Sequence, residues 1–129
     1  MINEHTLRHF TGSQEWYRHW TGAFYYTEGI AYLCDNGAAW LVDAIASYQS
    51  NKELREDPML REMQFWRLLV QDTNRKGYLT CRADDGFRPV IYQEIEYTDF
   101  PLDRIDIWVE RGSVDGVNEC LICLLPGEH

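Results

Sequence analysis

Apolar positions along the chain follow two different periods, one after the other. Over residues 38–48, Leu41, Ala44, Ile45 and Tyr48 recur at helical spacing behind a Cys34-Asp35-Asn36-Gly37 break, which predicts a helix. The short run Ile30-Ala31-Tyr32-Leu33 after Thr27-Glu28-Gly29 fits a short preceding helix or a strand, since four apolar residues do not decide the period, and helix is the favoured reading. A further one is expected over 4–10, with Asn3 as its cap and Leu7 and Phe10 facing inward. The charged stretch 49–59 reads as the loop where the topology divides.

Beyond that stretch the period becomes two. Trp66, Leu68 and Val70 share one face of a strand over 64–70, and residues 72–77 form a turn. Residues 78–82 make a second strand, and residues 90–97 a third with Ile91, Ile95 and Tyr97 inward and Glu94 and Glu96 in water. Residues 105–109 alternate cleanly as a fourth, and the apolar run 120–125 suits a more buried fifth. Helices first and strands afterwards predict an α+β fold, with N-terminal helices packed on one face of a mostly antiparallel sheet of about four to five strands. A chain of 129 residues is expected to form a single domain over 1–129, helical over about 1–50 and strand-rich over about 63–126.

Six aromatics in residues 16–26 stand apart from both regimes. Trp16, Trp20 and Phe24 recur every four residues, as an inward helical face would, whereas Thr21-Gly22 argues for a break before an extended Phe24-Tyr25-Tyr26. Core packing is the plainer expectation. The competing one is a protein-binding surface carried by Trp16, Tyr17 and Trp20, because Trp N–H and Tyr O–H groups suit a half-wet interface.

Charge narrows the partners. The net charge is −9, and residues 84–129 hold eleven acids against three bases. Such a segment repels nucleic acid and anionic membrane surfaces, so neither is expected as a partner. A protein partner or a homodimer is expected instead, since sheet edges and exposed aromatics have to be covered. Rows of carboxylates, Glu94 with Glu96 and Asp106 with Glu110, would allow a DNA mimic that binds a basic protein, provided their strands are neighbours.

Motifs for catalysis are sparse. Cys120-Leu121-Ile122-Cys123 has the CxxC spacing, but residues three apart on a strand point to opposite faces, so buried core cysteines are expected, with no metal and no cofactor. Four cysteines in this length read as reduced thiols of a cytoplasmic protein. His5 and His9 lie four apart, where Glu4 or His19 could complete a metal site, but the Glu of a His-Glu-x-x-His hydrolase is missing and they are read as solvated or capping. No glycine-rich phosphate loop occurs. Asp99 beside Pro101 is expected to cap a turn, with Pro101 at its first helical position. If the protein is an enzyme, His19 and Asp99 are the candidate acid–base groups, in a pocket between helices and sheet. The leading expectation is a small non-enzymatic binding or accessory protein.

The segments Phe10-Thr11-Gly12-Ser13, Trp40-Leu41-Val42-Asp43-Ala44-Ile45-Ala46, Phe65-Trp66-Arg67-Leu68 and Tyr97-Thr98-Asp99-Phe100-Pro101-Leu102 resemble a family of small uncharacterised bacterial proteins from cyanobacterial, phage and plasmid sequences. The likeness spans most of the chain. It implies a stand-alone domain with an accessory role linked to mobile elements, and it brings no assigned activity or site residue.

Overall fold

A computed structural model describes residues 1–129. Seven strands form one mixed sheet in the order β1-β2-β7-β6-β3-β4-β5. They are β1 (Trp16–Arg18), β2 (Tyr25–Thr27), β3 (Met63–Val70), β4 (Gly77–Arg82), β5 (Ile91–Ile95), β6 (Arg104–Val114) and β7 (Val117–Leu124). The helices are α1 (Glu4–Leu7), α2 (Glu28–Leu33), α3 (Ala39–Ser47), α4 (Lys52–Glu56) and α5 (Pro58–Glu62). No helix is long and apolar enough to cross a membrane.

The α+β class holds, and the second half of the chain supplies the expected antiparallel strands, β3 to β7. Two further strands come from the N-terminal part that periodicity assigned to helices, and β2 joins β7 in parallel, with Tyr25 opposite Ile122 and Tyr26 opposite Cys123. The four-residue recurrence of Trp16, Trp20 and Phe24 is therefore not a helical face. Gly22 at φ +79 turns the chain, and His19 N–H donates to the Phe24 carbonyl at 2.9 Å, closing a hairpin.

One face of the sheet makes the core. Trp66, Leu68, Ile105, Ile107, Val109, Leu79, Cys81, Ile91 and Cys123 point the same way, as their register requires. Ile30 and Leu33 from α2 and Leu41, Val42, Ile45 and Ala46 from α3 pack on them. Between α2 and α3, Gly37 at φ +96 kinks the chain within the Cys34–Ala38 turn, at the predicted break.

The charged stretch after α3 is not a loop. Asn51 and Asp57 cap α4 and α5, Pro58 sits in the first turn, and each short helix buries one leucine, Leu54 or Leu60. Single apolar residues at that spacing carry no period, so the sequence pattern hid them. At the start of this stretch the Gln49 amide pairs reciprocally with buried Gln64 at 2.9 Å, and Gln64 Oε1 also accepts from Trp66 Nε1 at 2.8 Å.

Two expectations near residue 100 fail for one reason. β5 ends at Ile95, and Thr98 N–H donates to the Arg75 carbonyl at 2.9 Å, which sends Thr98 and Phe100 inward and leaves Tyr97 exposed. The turn is closed by Thr98 Oγ1, accepting from Phe100 N–H, rather than by Asp99, and Pro101 lies in a bend with no helical turn.

The chain's last turn (Pro126–Glu128) is tied to the start of α2 by one carboxylate. Glu128 Oε1 accepts from Thr27 Oγ1 at 2.7 Å and Leu125 N–H at 3.0 Å, and Oε2 accepts from Gly29 N–H at 3.0 Å. A Cβ on Gly29 would collide with Glu128 and with Leu125, so only glycine admits this approach.

Loss of that carboxylate in Glu128→Ala is expected to destabilise the fold by about 1–3 kcal/mol in urea unfolding, because three donors lose a charged acceptor. A second expectation concerns alkaline pH. Burial pushes the Cys81 thiol from 9.0 up to about 12, and burial also raises fully enclosed Cys123. Unfolded thiols ionise first, so stability is intact below about pH 9 and falls above it, by roughly 1.4 kcal/mol per pH unit for each thiol. Replacing Cys81 with Ala should flatten that decline when stability is measured from pH 8 to 11.

Candidate functional site at the hairpin tip

The hairpin carries Trp20 away from the protein, 79% exposed, while the adjacent His19 is 4% exposed. His19 joins two elements. Its Nδ1 lies 2.7 Å from Thr21 Oγ1 and accepts from Thr21 N–H at 3.2 Å, so Nε2 carries the proton and donates to Asp43 Oδ1 at 2.8 Å. The same Asp43 oxygen accepts from Trp20 Nε1 at 2.9 Å. An exposed indole is thus held in one orientation by a carboxylate on α3, and that carboxylate is oriented by a buried imidazole.

This arrangement superficially resembles a hydroxyl–imidazole–carboxylate relay. Both ring nitrogens are engaged and the ring is enclosed, so no free nitrogen is presented to a substrate. Its evident work is positional. Nor does Asp99 complete a site with His19, whose carboxylate partner is Asp43. Asp99 borders a separate cavity of about 270 Å³ lined by Met1, Ile2, Asn36, Gly37, Phe100 and Pro101, with no other titratable side chain.

Around the hairpin the charge is negative. Tyr17 donates to Glu15 Oε2 at 3.0 Å, and that bond is the main reason its hydroxyl pKa is raised, with burial, Glu28 and Asp35 adding to it. Tyr26, whose ring lies 5.6 Å from that of Tyr17, is raised first by burial and then by Cys34, Asp35 and Asp43. The Cys34 thiol is pushed up to about 11 by burial, again with Asp43 and Asp35 behind it. Asp35 acts on all three groups, Asp43 on Tyr26 and Cys34, and Glu15 and Glu28 on Tyr17, so the four carboxylates border the hairpin and the start of the kinked turn after α2. Arg18 is drawn off to the opposite face of the strand, where its guanidinium lies over Tyr25.

Of the residues singled out from sequence, Tyr17 and Trp20 belong to this patch. Trp16 is half-buried on the other face of β1. Glu94 and Glu96 lie at the far end of the sheet, since β1 and β5 are its two edges, about 29 Å apart at roughly 4.8 Å per strand. The proviso for carboxylate rows also fails: β3 and β4 lie between β6 and β5, Asp106 is taken by Arg67 and Arg104 at 2.8 and 2.9 Å, and Glu94 by Lys76 at 3.2 Å. Cys120 and Cys123 point to opposite faces of β7, and His5 on α1 meets His9, just past the helix, edge-on. Sequence reading missed Asp43, whose signal was a lone carboxylate inside the apolar α3 run.

Replacing Asp43 by alanine should leave the buried His19 Nε2–H without an acceptor and free the indole. The expected cost is about 1–3 kcal/mol in chemical unfolding. Trp20 emission should become more mobile, read as lower fluorescence anisotropy.

A family model described as a family of unknown function (DUF6876) matches residues 1–129, and the chain belongs to that family. No curated protein and no solved structure matches it.

Proposed function

We propose that this member of a family of unknown function is a non-enzymatic binding protein that docks an extended basic segment of another protein on its hairpin edge. The observation that carries the reading is Trp20, exposed yet fixed by Asp43. A pre-oriented tryptophan loses little conformational freedom on contact, and such residues dominate binding energies. Asp43 at the tip of the hairpin and Glu15 and Glu28 at its base would select the charge of the partner. Lysine or arginine side chains would meet Glu15, Glu28 and Asp35 as well as the faces of Tyr17 and Trp20. The outer edge of β1 has no neighbouring strand, which supports strand addition as the mode of docking. The four unpaired cysteines fit a reducing compartment, so the protein is proposed to act in the cytoplasm.

A synthetic peptide of alternating arginine and threonine is the probe. Calorimetry at low salt should show binding that weakens steeply as salt rises, and Trp20→Ala should weaken it by about thirtyfold, the size of a hot-spot loss of 2 kcal/mol. Glu56→Gln, which removes an exposed charge elsewhere, should change little. Equal affinity for Trp20→Ala and the parent, or no binding at low salt, overturns the reading.

A further inference from the structure

The opposite edge of the sheet is also free, but its strand is longer than β1. β5 is five residues long, ends the sheet, and has no strand, helix or loop hydrogen-bonded along its outer side in the ladder. Large apolar side chains are exposed on it and in its flanking loops, Tyr92 at 58%, Phe87 and Tyr97, and Leu69 lies two strands in on β3. Tyr92, Tyr78 and Leu69 share the uncovered face of the sheet, and the Tyr78 and Tyr92 rings lie 6.1 Å apart. A free edge with an apolar border is the geometry that soluble proteins normally guard against. Its charge gives no such guard, because the carboxylate on the strand, Glu94, is met by Lys76.

We infer that β5 pairs antiparallel with β5 of a second copy of this chain, about a two-fold axis at Gln93, joining two sheets into one of fourteen strands. Symmetry limits the registers, since residues opposite each other must share a face for the two cores to continue on one side. An axis at Glu94 sets Glu94 against its own copy and is repelled. An axis at Tyr92 sets Ile91 against Gln93. The axis at Gln93 sets Ile91 against Ile95, extending the core face, and Tyr92 against Glu94, whose carboxylate accepts from the phenol while Lys76 stays beside it. Ile95, half-buried in one copy, gains apolar cover from the other. The basic-segment edge at β1 stays free in such a dimer, so this inference stands or falls separately from the docking reading.

Two measurements test it. Light scattering should give twice the 15.3 kDa of one chain at high micromolar concentration and fall toward one chain on dilution. Register is read by mild oxidation and non-reducing electrophoresis. Residues directly opposite come within disulfide reach, whereas diagonal neighbours stand about 7–8 Å apart. Tyr92→Cys mixed with Glu94→Cys should therefore give a cross-linked dimer that neither variant gives alone. A single-chain mass at every concentration overturns the pairing, and a cross-link from Tyr92→Cys alone overturns the register. Normal secondary structure by circular dichroism in both variants ensures that a missing cross-link is not misfolding and counts against the proposal.

Discussion

Two residue pairs of parallel strand, Tyr25 with Ile122 and Tyr26 with Cys123, are the seam by which the hairpin joins the rest of the sheet. So short a ladder holds little by itself, and parallel pairs are the weaker kind. The Glu128 carboxylate reinforces it by gathering Thr27, Gly29 and Leu125 on one anion at the end of α2 where the helix dipole favours negative charge. Position of Trp20, placement of the acids and freedom of the β1 edge all follow from that join. Asp43 then aligns the tip from the helix side, so the hairpin is gripped at both ends.

The uncovered face between the edges is quieter than its composition suggests. Arg67 and Arg104 share Asp106, Arg111 bridges Glu62 and Glu119, and His129 reaches Glu110 while its ring stacks on Trp108 at 5.3 Å. Pairs this exposed add little stability, each about 0–1 kcal/mol, and they neutralise Asp106 and Glu119 only locally. Net charge is thus a poor guide to where the protein is acidic in space. One group of acids, Glu15, Glu28, Asp35 and Asp43, borders the hairpin although it belongs to the half whose charges nearly balance along the sequence.

What could be read from sequence follows the reach of each signal. Alternation over β3, β4 and β6 and the inward stripe of α3 were legible, because burial of one face imposes its own period on adjacent residues. The stripe is broader than the one predicted: Val42 and Ala46 join Leu41 and Ile45 in full burial, and Ala44 and Tyr48 pack half-buried against the same core. β1 was hidden by being three residues long, and for β2 the Thr21-Gly22 break signalled an extended segment but not its pairing with a strand some hundred positions away. A shorter separation was enough to hide the site. Trp20 and Tyr17 were recognisable as aromatics with a polar end, while nothing local joins His19 to Asp43, twenty-four residues on.

The central claim is that a preformed hairpin patch, not the acidic second half, receives a basic partner. Nitrogen-15 chemical-shift mapping with the arginine–threonine peptide tests it most directly, because it reports where contact occurs as well as whether. The account predicts that the Trp20 indole resonance and the amides of residues 15–21 and 35 shift together and saturably. Shifts confined to residues 84–119, with the Trp20 indole unmoved, would contradict it.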